Sequence, residues 1–330
     1  MSEVLDGMTD PGLATLATVL DPVGLATYLL PVLPRHWGAL REVRVQVTKH
    51  YPGKRCTVAI ALRTTSGWHD LIGKVYATDR SDVYRTLDGI RHAGFGPDAA
   101  FSIPQPLLFV PALRLLLLEK VQGTVVKEIV LAGHEGDRAL AAERCACWLA
   151  RFQAVAPRSG PLFDLRAQTA ARWSRGLATL EPGPLADKAR RLLEHVDAAA
   201  RALNGSSVCA GHGSYSPSHV ILAAGRTVTI DWDGYDVADP ARDVARFIVA
   251  LKRLALGRLG SIRALDAVAD VFVQTYVGLG RPDVAARLPC YEAAICLQIA
   301  SNMARRGQPH WQMKVQTMLD EGLRTLEEHA

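Results

Sequence analysis

The sequence predicts an α+β chain in two parts, a small β-rich unit followed by a larger, mainly helical one. Three observations carry this. Residues 43–77 alternate apolar and polar side chains with turn signals between the runs, the mark of half-buried strands. Beyond residue 135 the apolar residues recur at helical spacing. Between two such helical stretches lies "VTIDWDGYDVADPARDVARF", residues 228–247, which reads as a strand, an acidic loop and a capped helix.

In chain order, residues 1–40 read as short helices. Asp10 before Pro11 and Asp21 before Pro22 each resemble an N-cap followed by proline at the first helical position. "VRVQVTKHY", "CTVAIALRT" and "DLIGKVYA" then predict a three-stranded antiparallel meander over Val43 to Ala77, with turns at "PGKR" and at Thr65–Gly67. Ser81 to Ala93 predicts a helix capped by Ser81 or Asp79. "RLLLLEKVQG" predicts a buried strand that ends near Gly123, and residues 121–124 form the natural hinge. "GDRALAAERCACWLARFQAV" and "DKARRLLEHVDAAARAL" predict helices. Short strands are expected at residues 208–209, 220–222 and 227–230, and helices from Asp239 onward. The division is therefore 1–40, an N-terminal helical segment; 41–122, a β-sheet unit; and 123–330, a helical unit.

Composition narrows the classes. Of the 330 residues 49% are hydrophobic and 22% charged, globular proportions that exclude a disordered chain. The net charge of +5 comes from scattered basic residues, which suits an anionic ligand and gives no ground for nucleic acid as a partner. The six cysteines include no C-x-x-C pair, so buried reduced thiols are expected rather than a disulfide framework. The N-terminus has no basic stretch leading into an apolar run, and "PALRLLLLEKV" is too short for a membrane span, so a cytoplasmic location without membrane association is expected.

Chemistry concentrates at "CAGHGSYSPSHVIL", residues 209–222, and at the acidic loop after it. Asp231 stands where a strand ends, well placed to hold a hard cation such as Mg²⁺, and Asp233 offers a second carboxylate two residues on. Asp239 reads as a helix cap, and Asp243 falls in the first turn, where its charge suits the helix dipole.

These segments are similar to the catalytic region of the aminoglycoside phosphotransferase-like family, which has the protein-kinase-like fold. That family shows H-G-D-x-x-x-x-N, a strand ending in I-D-[WFY]-[DE], then D-P-x-x-D-[LV]-A. His212, Gly213, Asp231, Asp239, Pro240 and Asp243 match. The resemblance extends over roughly residues 43–250 and implies ATP and Mg²⁺ as cofactors. It implies that Lys74 pairs the α- and β-phosphates and that the turn at Gly53 lies over the nucleotide. Backbone groups from Glu119 to Val121 would meet the adenine, and Asp231 would bind the metal with His219 and Asp233 as further candidates.

Two positions depart from the pattern. Ser214 stands where the family has its catalytic aspartate, and His219 where it has the metal-binding asparagine. The helix after the third strand holds no glutamate; its acids are Asp82 and Asp88. Ser214 can orient an acceptor hydroxyl but cannot take its proton. His219 as a neutral imidazole is a candidate base, and His212 a second one, although the resemblance implies that this histidine supports the loop. The resemblance implies transfer from ATP to a hydroxyl of a small molecule, with a pseudokinase acting through a protein partner, or a kinase of peptide Ser/Thr, as alternatives. The helical unit carries many cations and few acids before its acidic tail, which speaks against a polycationic aminoglycoside and for a neutral or anionic, sugar-like acceptor.

Overall fold

A computed structural model describes residues 9–169, 177–178, 180–203, 207–307 and 310–328. The reading of the first eight residues as free of a targeting signal lies outside them. The chain divides into two compact units, Met1–Gln122 and Gly123–Ala330.

The first unit is an antiparallel sheet backed by the N-terminal segment. Its helices α1 (Leu16–Leu20) and α2 (Pro22–Leu29) precede β1 (Leu40–Tyr51), β2 (Arg55–Thr64), β3 (Gly67–Tyr76), α3 (Ser81–His92), β4 (Pro106–Val110) and β5 (Leu115–Glu119). The strands run in the order β1-β2-β3-β5-β4. Alternation decides the faces. Val58, Ile60 and Leu62 of β2 are buried against Leu16, Leu25 and Leu29, while the residues between them point the other way. The predicted meander is thus present, lengthened at its start. Asp21 caps α2 as expected, accepting from the N–H groups of Val23 (3.1 Å) and Gly24 (2.9 Å). Asp79 accepts from Ser81 N–H at 2.8 Å at the head of α3.

Asp10 corrects its sequence reading. No helix starts at Pro11; instead the Asp10 carboxylate accepts from Gly12 N–H (2.9 Å) and Gly53 N–H (2.8 Å) and meets His50 Nε2 at 2.8 Å. Gly12 lies so close to the turn that an added Cβ would strike Gly53 Cα. The N-terminal segment is therefore latched onto the β1–β2 turn, where Gly53 adopts φ +65°. The Gly53 hydrogen bond and the one from His50 hold the Asp10 carboxyl below its ordinary value. A depressed carboxyl stabilises the fold above its unfolded pKa and loses that effect as pH falls through the folded one. In Asp10→Ala, amide exchange at Gly53 is expected to accelerate at pH 7, and in the native chain the same acceleration appears only on acidification below the usual carboxylate range. Unchanged exchange in the variant would remove the latch.

The second unit opens with β6 (Thr124–Val125), α4 (Val126–Ala132) and the long α5 (Glu135–Val155), followed by α6 (Pro184–Ala202). Then come β7 (Cys209–Gly211), β8 (Val220–Ala223), β9 (Arg226–Thr229) and β10 (Asp236–Ala238), and the helices α7 (Pro240–Arg258), α8 (Asp266–Gly278), α9 (Leu288–Arg306) and α10 (Trp311–Glu327). The three small strands read from the sequence do not make one sheet. β8 pairs with β9 and β6, whereas β7 pairs with the unforeseen β10, Asp236 opposite Gly211. The two ribbons set the loop after β7 and the loop after β9 side by side. Beneath them α5 supplies Trp148 and Phe152, stacked on each other and packed against Tyr215 and Trp232. Trp232 and the half-buried Tyr235 belong to this aromatic core, and Tyr291 is buried.

The expected shortage of acids in this unit is also corrected. Glu321, read as part of an acidic tail, turns inward from α10 and is 3% exposed. It meets Lys252 Nζ at 2.7 Å, Arg263 at 2.6 Å and Arg324 at 2.8 Å, and Lys252 reaches Glu292 at 3.0 Å. Burial pushes the Glu321 carboxyl up, but the bonds from Arg324 and Lys252 outweigh it and the group ends below its ordinary value. Three of the unit's cations are therefore neutralised within the fold. No helix among the described residues is long and apolar enough to cross a membrane.

Candidate active site

The loop from His212 to His219 is fixed from behind by the first turn of α7. The Asp243 carboxylate, 1% exposed, accepts from His212 N–H (2.7 Å) and Gly213 N–H (3.2 Å). Arg242 donates to both oxygens of Asp236 on β10 and lies 3.3 Å from Asp243. Gly213 has φ +78°, and a Cβ there would collide with the Gly234 carbonyl of the neighbouring loop, so only glycine lets the two loops touch. Asp239 both caps α7, accepting from Ala241 N–H at 2.8 Å, and pairs with Arg287 at 2.9 Å. From the sequence, Asp243 reads as a dipole partner and Asp239 as a cap alone. Only Asp243 reaches the loop, while Asp239 serves its own helix and Arg287.

His212 is a structural histidine, which corrects its candidacy as a base. Its Nε2 lies 3.0 Å from Ile230 O; a carbonyl only accepts, so that nitrogen carries the proton. Nδ1 then accepts from Ser214 N–H (3.3 Å) and Oγ (3.2 Å). The ring is fully buried, and burial, aided by the charge of His219, pulls its pKa down to about 4. It is neutral at physiological pH and sealed from any acceptor. Ser214 is half-buried, its hydroxyl turned toward His212.

His219 is the outward partner. Its Nδ1 lies 2.8 Å from Ser214 O, so the proton sits there and Nε2 is the distal nitrogen, 3.5 Å from Asp231 Oδ2. Asp231 stands in the left-handed region, φ +70°, at the end of the β9 arm, a conformation an aspartate tolerates. Both side chains keep about a quarter of their surface open, at 25% each. The third predicted ligand does not join them. Asp233 lies in the short turn Trp232–Gly234 with Oδ2 sealed from solvent, and no group of three or more His, Cys, Asp and Glu side chains among the described residues is gathered to hold a metal ion.

In the first unit, Lys74 lies on β3 opposite Thr57 of β2 and Leu116 of β5, on the face turned away from the N-terminal helices, and is buried. Ala59, Ile72, Leu116 and Leu118 share that face next to it, an apolar surround for its stem. Both acids of α3 are engaged locally, Asp82 with Arg80 and Asp88 with Arg91 and His92. The Gly53 N–H, expected to face phosphates, is bonded to the Asp10 carboxylate, and an anion there disfavours phosphate. Glu119 gives its N–H to Gln105 O at 2.9 Å, and its carboxylate accepts from Gln105 N–H at 3.1 Å. Val121 lies beyond it in the irregular stretch 120–122.

An antiparallel five-stranded unit followed by a helical unit that opens with paired ribbons and an aspartate-clamped loop is the architecture of the protein-kinase-like phosphotransferases. The chain belongs to the phosphotransferase enzyme family APH, whose model matches residues 62–284. Solved structures agree on the fold. A choline/ethanolamine kinase family protein from Mesorhizobium loti is 16% identical with a TM-score of 0.62, covering 93% of this chain and 96% of its own. A thermostable mutant of the aminoglycoside phosphotransferase APH(4)-Ia, in complex with ADP and hygromycin B, is 16% identical with a TM-score of 0.63, covering 91% and 98%. The macrolide 2'-phosphotransferase MphH from Brachybacterium faecium is 18% identical with a TM-score of 0.54, covering 88% and 97%. No curated protein matches the chain.

Proposed function

We propose that the chain transfers the γ-phosphoryl group of ATP to a hydroxyl of a small neutral or anionic molecule, sugar-like rather than polycationic. The observation that carries this is the Asp231–His219 pair at the open edge of a loop clamped by Asp243. The Asp231 half of the pair suits Mg²⁺, which takes one or two carboxylates and completes its shell with water and substrate phosphates, whereas the His219 imidazole is a softer ligand than Mg²⁺ prefers. Asp231 supplies the hard carboxylate, and in the neutral form of His219 the lone pair falls on the distal nitrogen, since Nδ1 donates to Ser214 O. Bound there, Mg²⁺ would neutralise charge on the β- and γ-phosphates.

The chain's own groups divide the remaining work. Lys74 binds the α- and β-phosphates, and the backbone at Val121 meets the base. Ser214 N–H and Oγ are tied to His212, so the Ser214 position orients rather than accepts protons. His219 Nε2 has two competing uses, as metal ligand or as acceptor of the substrate's proton. In phosphoryl transfer the loose transition state leaves most of the catalysis to positioning and charge, so a missing base costs about 10²–10⁴-fold rather than everything. An anionic acceptor is favoured by Arg246, one turn beyond Asp243. Burial lowers it to about 10, and its terminal nitrogen meets the neutral amide of Gln298 rather than a carboxylate. The second reading, nucleotide binding without transfer, is supported by Ser214 and by the occupied Gly53 N–H.

The test is thermal stability with ATP, ADP or GTP, each with and without Mg²⁺. At a hundred times its Kd a ligand adds about 2.7 kcal/mol. A Mg²⁺-dependent gain with ATP that disappears in Asp231→Ala, followed by turnover with sugar alcohols, is expected. The absence of any gain with nucleotide would sink the transferase reading.

A further inference from the structure

We propose a second ligand site in the helical unit, remote from the clamped loop, that takes a small organic anion: a phosphate or carboxylate on a flat apolar body. A cavity of about 300 Å³ lies among the end of α7, the second half of α9 and the start of α10. Its lining includes the cations Arg253, Arg258, Arg306 and Lys314, and Trp311 and Met303 supply apolar wall. At a rise of about 1.5 Å per residue, Arg253 lies about 15 Å along α7 from Asp243, so this is not the acceptor side of the loop.

The charge pattern is what calls for a ligand. No Asp or Glu lines the cavity, and none of its four cations has a carboxylate partner among the described residues. On the other side of α7, Lys252, Arg263 and Arg324 are all paired. Arg253, Arg258 and Arg306 are exposed at the rim, and the charge of Arg306 contributes, after desolvation, to a lowered pKa at Arg253, so the two cations face the same opening. Helix dipoles explain part of the set. Arg258 and Arg306 stand in the last turns of α7 and α9, where the helix dipole favours a cation. They do not explain Lys314, which lies in the first turn of α10, the end that disfavours cations. That helix has no acid in its first turn and no side-chain cap, so its positive end adds to the field. Trp311, the first residue of α10, offers a ring face for a planar group. The volume is at the lower limit for ligand sites, which suits a single ring bearing one or two anionic groups.

The experiment is calorimetric titration of the full chain at low salt with phenyl phosphate, inorganic phosphate and phenol. Phenyl phosphate is expected to bind more tightly than inorganic phosphate, and phenol not at all. The double variant Arg253→Gln, Arg306→Gln should weaken phenyl phosphate at least about tenfold, since each charge-assisted bond contributes about 1.5–3 kcal/mol. Trp311→Leu should remove the advantage of the ring over bare phosphate, and Asp231→Asn should leave binding unchanged. These substitutions replace rim side chains, and circular dichroism checks that each variant is folded. Binding that survives the double arginine variant, or that is lost in Asp231→Asn, would assign the phosphate to the nucleotide site and overturn the proposal. So would sedimentation with phosphatidylserine vesicles in the absence of any heat with phenyl phosphate, which would make the basic rim a lipid contact.

Discussion

Asp243→Ala is expected to destabilise the helical unit by about 3–5 kcal/mol and to remove phosphoryl transfer with it. The carboxylate is almost fully buried and serves two backbone N–H groups of the loop as well as facing Arg242. Its loss leaves one buried and one half-buried donor without an acceptor and takes away part of the charge that balances a guanidinium 2% exposed. Breaking a buried pair from one side is far costlier than never having formed it. Asp243→Asn keeps one acceptor oxygen, so it should lose less stability yet still release one loop N–H. Urea denaturation followed by tryptophan fluorescence measures both. If the alanine variant stays within about 1 kcal/mol of the parent, close to the margin usual for a surface substitution, the clamp carries no weight in this fold.

Ser214→Asp is expected to raise the transfer rate by about 10²–10⁴-fold with nucleotide affinity unchanged. The substitution supplies the proton acceptor that the family pattern has at this position. The backbone N–H of residue 214 can still donate to His212 Nδ1, so the loop keeps one of its two ties to that ring. The new carboxylate must turn away from the Nδ1 lone pair, toward the open side of the loop, because an anion beside that lone pair is repelled. Single-turnover kinetics at saturating ATP and acceptor separates the chemical step from binding. No gain in rate, with ATP binding intact, would show that another group already takes the proton or that the chain binds nucleotide without transferring phosphate.

The elements that could be read from the sequence share one property: their signals are local. The β1–β3 meander announces itself by alternation broken at Gly53 and Gly67, and α2 and α7 by Asp–Pro pairs at their heads. What escaped is decided across long separations. β10 is three residues long, too short to show a period, and exists because Gly211 lies beside it. The latch joins Asp10 to a turn 43 residues on. Glu321 looks like a solvent-exposed tail acid until Lys252, Arg263 and Arg324 converge on it. At the site, the family spacing brought His219 and Asp231 together on paper. It could not say that one Asp233 oxygen is sealed from solvent, that His212 is buried, or that Nδ1 of His219 donates to Ser214 O, because these follow from burial and hydrogen-bond partners rather than from order.

The first unit closes late in its own synthesis. Its strands pair almost entirely with near neighbours in sequence, and its core is covered by α1 and α2, which leave the ribosome before any strand does. The apolar faces of Leu16, Leu25 and Leu29 therefore wait without a partner until β2 has emerged, about 35 residues later, a delay of a few seconds at roughly 5–20 residues per second. That interval is the natural point for a chaperone to engage, and synonymous codon changes that slow synthesis between α2 and β2 would lengthen it.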